Sequence, residues 1–86
     1  MGKAVTLEVF TAKWSPVTIP LRRALEEVRQ SGVSVKEIDV DEDAMAADAV
    51  GITVLPTFLR RDGDQYTTRV GAQSAQELVE WCLEEA

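Results

Sequence analysis

Trp14-Ser15-Pro16-Val17-Thr18 stands between two stretches of different period. Before it, Val5-Thr6-Leu7-Glu8-Val9-Phe10 is β-branched and alternating, which predicts a strand. After it, Val17, Leu21, Leu25 and Val28 recur at spacings of 4, 4 and 3, the stripe of an amphipathic helix. Arg22, Arg23, Glu26, Glu27 and Arg29 lie off that stripe and predict its solvated face. A strand-to-helix junction exposes backbone N–H groups at a helix N-terminus. Ligand sites on α/β folds gather there, beyond the carboxyl ends of strands. The place looks reactive and the side chains do not. Ser15 and Thr18 offer hydroxyls, and no base stands nearby in sequence.

The helix start has two readings. With Ser15 as N-cap and Pro16 as first residue, Pro20 lacks the N–H for its bond to Pro16 and should kink the first turn. With Thr18 as the cap, Pro20 is harmless. Gly32 closes the helix as a left-handed cap. Val33 to Val40 predicts a second strand, whose apolar phase slips between Val35 and Ile38, so a bulge or a strand end is expected there. Two strands joined by such a helix make a parallel, right-handed βαβ unit.

Asp41-Glu42-Asp43 places carboxylates where a short helix, Ala44 to Val50, would begin, and Gly51 closes it. The run Ile52 to Leu59 is broken by Pro56, which belongs at a strand start or in a cis turn. Asp62-Gly63 predicts a hairpin, with Arg60 and Arg61 as charges on it and Gln65 to Val70 returning as a polar edge strand. Ser74-Ala75-Gln76-Glu77 is a capping box. The helix after it carries Leu78, Trp81 and Cys82 on one face. The order β-α-β-α-β-β-α predicts one α/β domain over residues 1–86, a mixed four-stranded sheet with helices on its faces.

Composition narrows the function classes. The 86 residues carry a net charge of −6, which makes nucleic acid a poor partner. No apolar run approaches the roughly 20 residues that span a bilayer, and residues 1–4 lead into alternation rather than a signal-peptide core. A cytoplasmic protein with no membrane partner is the expectation. The chain has no histidine, so Ser-His and Cys-His catalysis and a His-ligated metal are excluded. Its single cysteine, Cys82, excludes an internal disulfide and a thiolate-rich zinc site. Asp39, Asp41, Glu42 and Asp43 lack the glycine and the twelfth-position glutamate of an EF-hand loop, so they read as a solvated acidic turn. No metal and no cofactor are expected.

Three landmarks, in order, carry a resemblance: Glu8-Val9-Phe10-Thr11-Ala12-Lys13-Trp14 leading into the junction; Gly51-Ile52-Thr53-Val54-Leu55-Pro56-Thr57-Phe58; and Asp62-Gly63 followed by Val70-Gly71-Ala72 and a capped helix. The chain resembles small thioredoxin- and glutaredoxin-like proteins over nearly all its length. The resemblance implies the thioredoxin-like fold, with sheet order 2-1-3-4, strand three antiparallel to one and two, and helices on both faces. It implies that Pro56 is cis and faces the Ser15–Thr18 turn. It also implies that this turn is the family's active site, where thioredoxins carry Cys-x-x-Cys and this chain carries Ser15 and Thr18. Exchange requires an attacking thiolate and a resolving thiol, and serine and threonine oxygens supply neither at neutral pH. Val9 occupies the strand position where many thioredoxins place a buried acid. Cys82, on the apolar face of the last helix, lies far from the junction in the implied fold.

The expected function is therefore a binding module without redox chemistry. Its groove would be formed by Trp14, Pro16, Val17, Leu55, Pro56 and Thr57, with Leu55 pairing an extended protein segment if the family's substrate mode persists. The alternative is a thiol–disulfide oxidoreductase whose active-site cysteine or cysteines were replaced or diverged. Each residue also has a plainer reading: Ser15 as a helix cap, Trp14 as packing at the end of the first strand, Cys82 as a small buried hydrophobe. A monomer is expected, with a Cys82-linked dimer as the alternative.

Overall fold

Alternation in the first strand sends Leu7 and Val9 to one side of the sheet and Phe10 to the other, and all three are buried. A computed structural model describes residues 5–15 and 18–83, the side chains of residues 18 and 19 apart. The elements run β1 (Val5–Thr11), α1 (Thr18–Gln30), β2 (Ser34–Asp39), α2 (Ala44–Val50), β3 (Thr57–Asp62), β4 (Gln65–Val70) and α3 (Ala75–Leu83). The sheet order is β2-β1-β3-β4. β1 and β2 are parallel, while β3 is antiparallel to both β1 and β4. This is the thioredoxin-like architecture.

Helices cover both faces unequally. On one face, Leu21, Leu25 and Val28 of α1 and Leu78, Trp81 and Cys82 of α3 meet Leu7, Val9 and Phe58. On the other, Ala47 of α2 meets Phe10, Ile38 and Leu59. Full burial of each large apolar side chain favours folding by about 1.5–3 kcal/mol, so the two-helix face contributes the greater share.

Two local expectations change on contact with the structure. The phase slip in β2 is no bulge: its register with β1 is unbroken from Ser34 to Asp39. Val35 packs with the α1/α3 cluster and Ile38 with the α2 cluster. A strand covered on both faces carries apolar residues at odd spacing without any defect. α1 is described from Thr18, with Pro20 two residues on, and both readings of its cap turn on residues 16 and 17. Pro16 and Val17 lie outside the described residues.

Arg60 and Arg61 are more than charges on a hairpin. Arg60 Nε donates to the Trp81 carbonyl at 2.8 Å, tying β3 to α3. Arg61 Nε donates to Glu8 Oε2 at 2.6 Å and the guanidinium lies 5.6 Å from the Tyr66 ring centre. The capping box forms in both directions: Glu77 N–H donates to Ser74 Oγ at 3.1 Å, and Ser74 N–H donates to Glu77 Oε1 at 3.0 Å. The Ser74 backbone N–H first, and then the Ser74 hydroxyl, hold the Glu77 carboxyl below its ordinary pKa.

Candidate functional site at one end of the sheet

Strand register gathers four connections at one end. Thr11 pairs with Asp39, Phe10 with Thr57, and Thr57 with Val70. The residues that follow β1, β2 and β4 and those that precede β3 therefore share that end. It carries, across the sheet, Val40–Asp43, then Ala12–Ser15, then Val54–Pro56, then Gly71. Neighbouring strands lie about 4.8 Å apart, so sequence positions as distant as Ser15 and Gly71 are brought within a few strand widths.

Trp14 sits in the turn between β1 and α1, where Ser15 N–H donates to the Ala12 carbonyl at 3.0 Å. Its ring is 69% exposed, so it is not packing material at the end of β1. One edge is fixed: the indole Nε1–H donates to Asp41 Oδ2 at 2.8 Å, across 27 residues of sequence. Lys13 beside it donates its backbone N–H to Asp39 Oδ2 at 3.2 Å, and its ammonium reaches Glu42 Oε1 at 2.7 Å. The bond to Glu42 raises the Lys13 pKa. The turn that carries Trp14 is thus laced to the β2–α2 turn at three points.

The acidic turn is itself ordered by its own backbone. Asp39 Oδ1 accepts from Asp41 N–H at 2.8 Å and Glu42 N–H at 3.3 Å. These donors, the Asp41 N–H first, hold the Asp39 carboxyl below its usual pKa against the opposing effect of desolvation. Asp43 caps α2, accepting from Ala46 N–H at 3.1 Å. Among the described residues no group of carboxylates, cysteines and histidines is arranged to hold a metal ion.

On the other side of Trp14 the Leu55–Pro56 peptide bond is cis. The turn around it is tied at both sides. Thr57 Oγ1 donates to the Val54 carbonyl, and the Pro56 carbonyl accepts from Gly71 N–H at 3.0 Å. Gly71 has a φ of +83°, where a side chain would be strained. Pro56 and Thr57 are buried, Leu55 is half-buried, and Val54 is exposed together with Val70. Among the described residues, the Leu55 N–H and C=O have no hydrogen-bond partner. An unpaired donor and acceptor next to exposed apolar side chains is what strand addition uses.

Of the sequence-predicted site residues, Trp14, Ser15, Leu55, Pro56 and Thr57 come to this end of the sheet, and α1 begins at Thr18. Sequence reasoning missed Asp41 as the partner of Trp14. No local signal could reveal it, because the contact depends on β1 and β2 being parallel neighbours. Val9 is fully buried in the larger core cluster, so its position in β1 supplies no acid. Cys82 is 4% exposed; burial pushes its thiol pKa up, and Arg60 and Arg69 only partly oppose this. Arg60 lies three positions along β3 from Thr57, about 10 Å from the site end.

The sequence model of the family described as Thioredoxin matches residues 3–84. The chain is 32% identical to a thioredoxin of Rickettsia bellii over 76 residues, which cover 84% of this chain and 72% of that protein. It is 26% identical to a thioredoxin of Listeria monocytogenes over 83 residues, 92% of this chain and 81% of the relative. Among solved structures, a mutant thioredoxin from Halobacterium salinarum superposes with a TM-score of 0.84 at 28% identity, covering 98% of this chain and 79% of that one. Chloroplastic thioredoxin z gives 0.82 at 27% identity, over 93% and 76% of the respective chains.

Proposed function

The chain belongs to the thioredoxin family, and on that premise we propose that it is a groove-binding member without thiol–disulfide exchange. The observation that carries this reading is the absence of sulfur at the junction. Ser15 and Thr18 stand where the family places its cysteines, and the one cysteine, Cys82, is buried in α3. Exchange proceeds by thiolate attack on a disulfide sulfur, followed by resolution with a second thiol. A hydroxyl with a pKa far above neutrality cannot make that attack, and the chain has no histidine to activate one.

What remains is shape. An extended protein segment would lie across the exposed Trp14 ring and Val54, pairing its main chain with the free Leu55 N–H and C=O. Pro16, Val17, Pro56 and Thr57 complete the groove in this reading. It requires no metal and no cofactor. Among the described residues no helix is long and apolar enough to cross a membrane, and an acidic chain with one buried thiol suits the reducing cytoplasm.

Insulin-disulfide reduction tests the chemical half, with dithiothreitol as the electron source. The chain as written is expected to add nothing to the rate of dithiothreitol alone. Turnover above that rate would sink the reading. Titration of isotope-labelled protein with extended apolar peptides tests the binding half, with shifts expected at the Trp14 indole and the Leu55 amide.

The relatives favour a second reading. They are named thioredoxins, and on this second reading the scaffold is that of a thiol–disulfide oxidoreductase whose active-site cysteine or cysteines were replaced or diverged. Ser15→Cys, and the pair Ser15→Cys with Thr18→Cys, separate the two. If the scaffold retains the enzyme's design, the single variant gains a thiol of depressed pKa and the double variant reduces insulin. If neither gain appears, the scaffold is not a disabled enzyme.

A further inference from the structure

The groove end of the sheet is electrically lopsided. On the β2 side of Trp14 stand Asp39, Asp41, Glu42 and Asp43, all but Asp39 exposed. Lys13 lies among them, and its ammonium is already committed to Glu42 at 2.7 Å. Arg22, the other cation nearby, is shared with Glu37 at 3.8 Å. Among the described residues Asp39, Asp41 and Asp43 therefore form no ion pair with a cationic side chain. One of them, Asp41, touches the anchor itself through the indole N–H. On the β4 side, Arg69 is turned away onto the Trp81 ring, its guanidinium 4.5 Å from the ring centre, toward α3.

This arrangement has a consequence for what can lie in the groove. With its N–H engaged by Asp41, Trp14 presents only its apolar ring and no free donor. The carboxylates stand beside that ring, about two strand spacings, or roughly 10 Å, from Leu55. An extended segment advances about 3.3 Å per residue. A side chain about three residues from the one that pairs with Leu55 therefore reaches the acidic turn. An acidic side chain there would meet like charge; a lysine or arginine would meet a set of acceptors that the fold has already ordered.

We propose that the groove selects extended segments with an apolar centre and lysine or arginine on the flank that reaches the β2–α2 turn. The inference rests on the groove reading above and adds its partner chemistry. Charges at an interface rim act mainly on encounter and discrimination, and they are screened by salt. The signature is therefore a salt-sensitive preference rather than a large gain in affinity.

Three synthetic peptides test it, each with a central Val-Val-Leu-Val and a flank of Lys-Lys, Gln-Gln or Glu-Glu. Each is titrated into labelled protein while the Trp14 indole and Leu55 amide signals are followed. At low salt the lysine peptide is expected to bind about tenfold more tightly than the glutamate peptide, with glutamine between, and the ratio to fall below about twofold at half-molar salt. Asp41→Asn keeps an oxygen for the indole bond and removes the charge. It should cut the lysine-over-glutamate ratio at least about twofold while the glutamine peptide still shifts the Leu55 amide with its affinity little changed. If all three peptides shift Trp14 and Leu55 with equal affinity, the charge preference is overturned and the groove stands. If none shifts them, the groove reading falls and takes the preference with it.

Discussion

At the hairpin end of the sheet Arg61 reaches Glu8 at 2.6 Å and Arg60 donates to the Trp81 carbonyl. At the opposite end Trp14 stands exposed, and the Leu55 peptide groups have no partner among the described residues. The same four strands supply both ends, and the difference lies in how their residues are satisfied. At the hairpin end, arginine side chains meet acceptors and the chain reverses tightly through Gly63–Asp64 between paired Asp62 and Gln65, with Gly63 at φ +64°. At the groove end, apolar surface is left to solvent and carboxylates crowd one flank. Exposed apolar side chains such as Trp14 and Val54 have a free-energy cost to the isolated molecule. It is the end where such a cost could be recovered by a partner.

That contrast can be broken at four points. The largest effect should come from what both ends share. Phe58 is fully buried in the two-helix core between them. Phe58→Ala should lower the unfolding free energy by about 3–5 kcal/mol, read as a fall in the urea midpoint, and should disturb both ends alike. At the hairpin end, Glu8→Ala removes the acceptor of Arg61. The side chain of Arg61 is partly exposed and can rehydrate, so the loss should be about 1 kcal/mol, with the Trp14 environment unchanged.

Acid should act more gently, and on the groove end and the α3 cap. The folded-state pKa values of Asp39 and Glu77 are both depressed. The stability they contribute is then fully present above their unfolded pKa values, about 4, and is lost as pH falls through the lower folded values. The urea midpoint should therefore hold down to about pH 4 and decline below it, and Asp39→Asn should flatten part of that decline. The smallest effect on stability should be Trp14→Ala. An exposed ring with one hydrogen bond should cost less than about 0.5–1 kcal/mol on removal, yet the peptide-induced shift at Leu55 should vanish. A Trp14→Ala protein that loses as much stability as Phe58→Ala would show that the ring belongs to the core.

Much of the fold was legible because its signals are local. The Ser74–Glu77 capping box, the Asp62–Gly63 turn, the Gly51 cap and the stripe Leu21, Leu25, Val28 each declare themselves within a few residues, and each forms as expected. Less legible was anything that depends on which elements become neighbours. The Val35–Ile38 slip resembles a defect until helices are seen on both faces of β2. Arg60 and Arg61 look like solvated charges until β1 and α3 supply Glu8 and the Trp81 carbonyl. Trp14 and Asp41 meet only because a parallel crossover brings the ends of β1 and β2 together. For the site, the residues at the junction could be named from sequence, while the acidic flank beside them could not be assigned to it.

The Asp62–Gly63–Asp64 reversal has a practical consequence. It directly joins neighbouring strands β3 and β4 at the end away from the groove, and Gly63 and Asp64 are exposed. Lengthening a surface loop adds only about 0.6 kcal/mol for each doubling. A short tag or a fluorophore-bearing insertion between Gly63 and Asp64 would therefore give this small chain a handle, and immobilised or labelled through it the protein would present its groove outward and unobstructed.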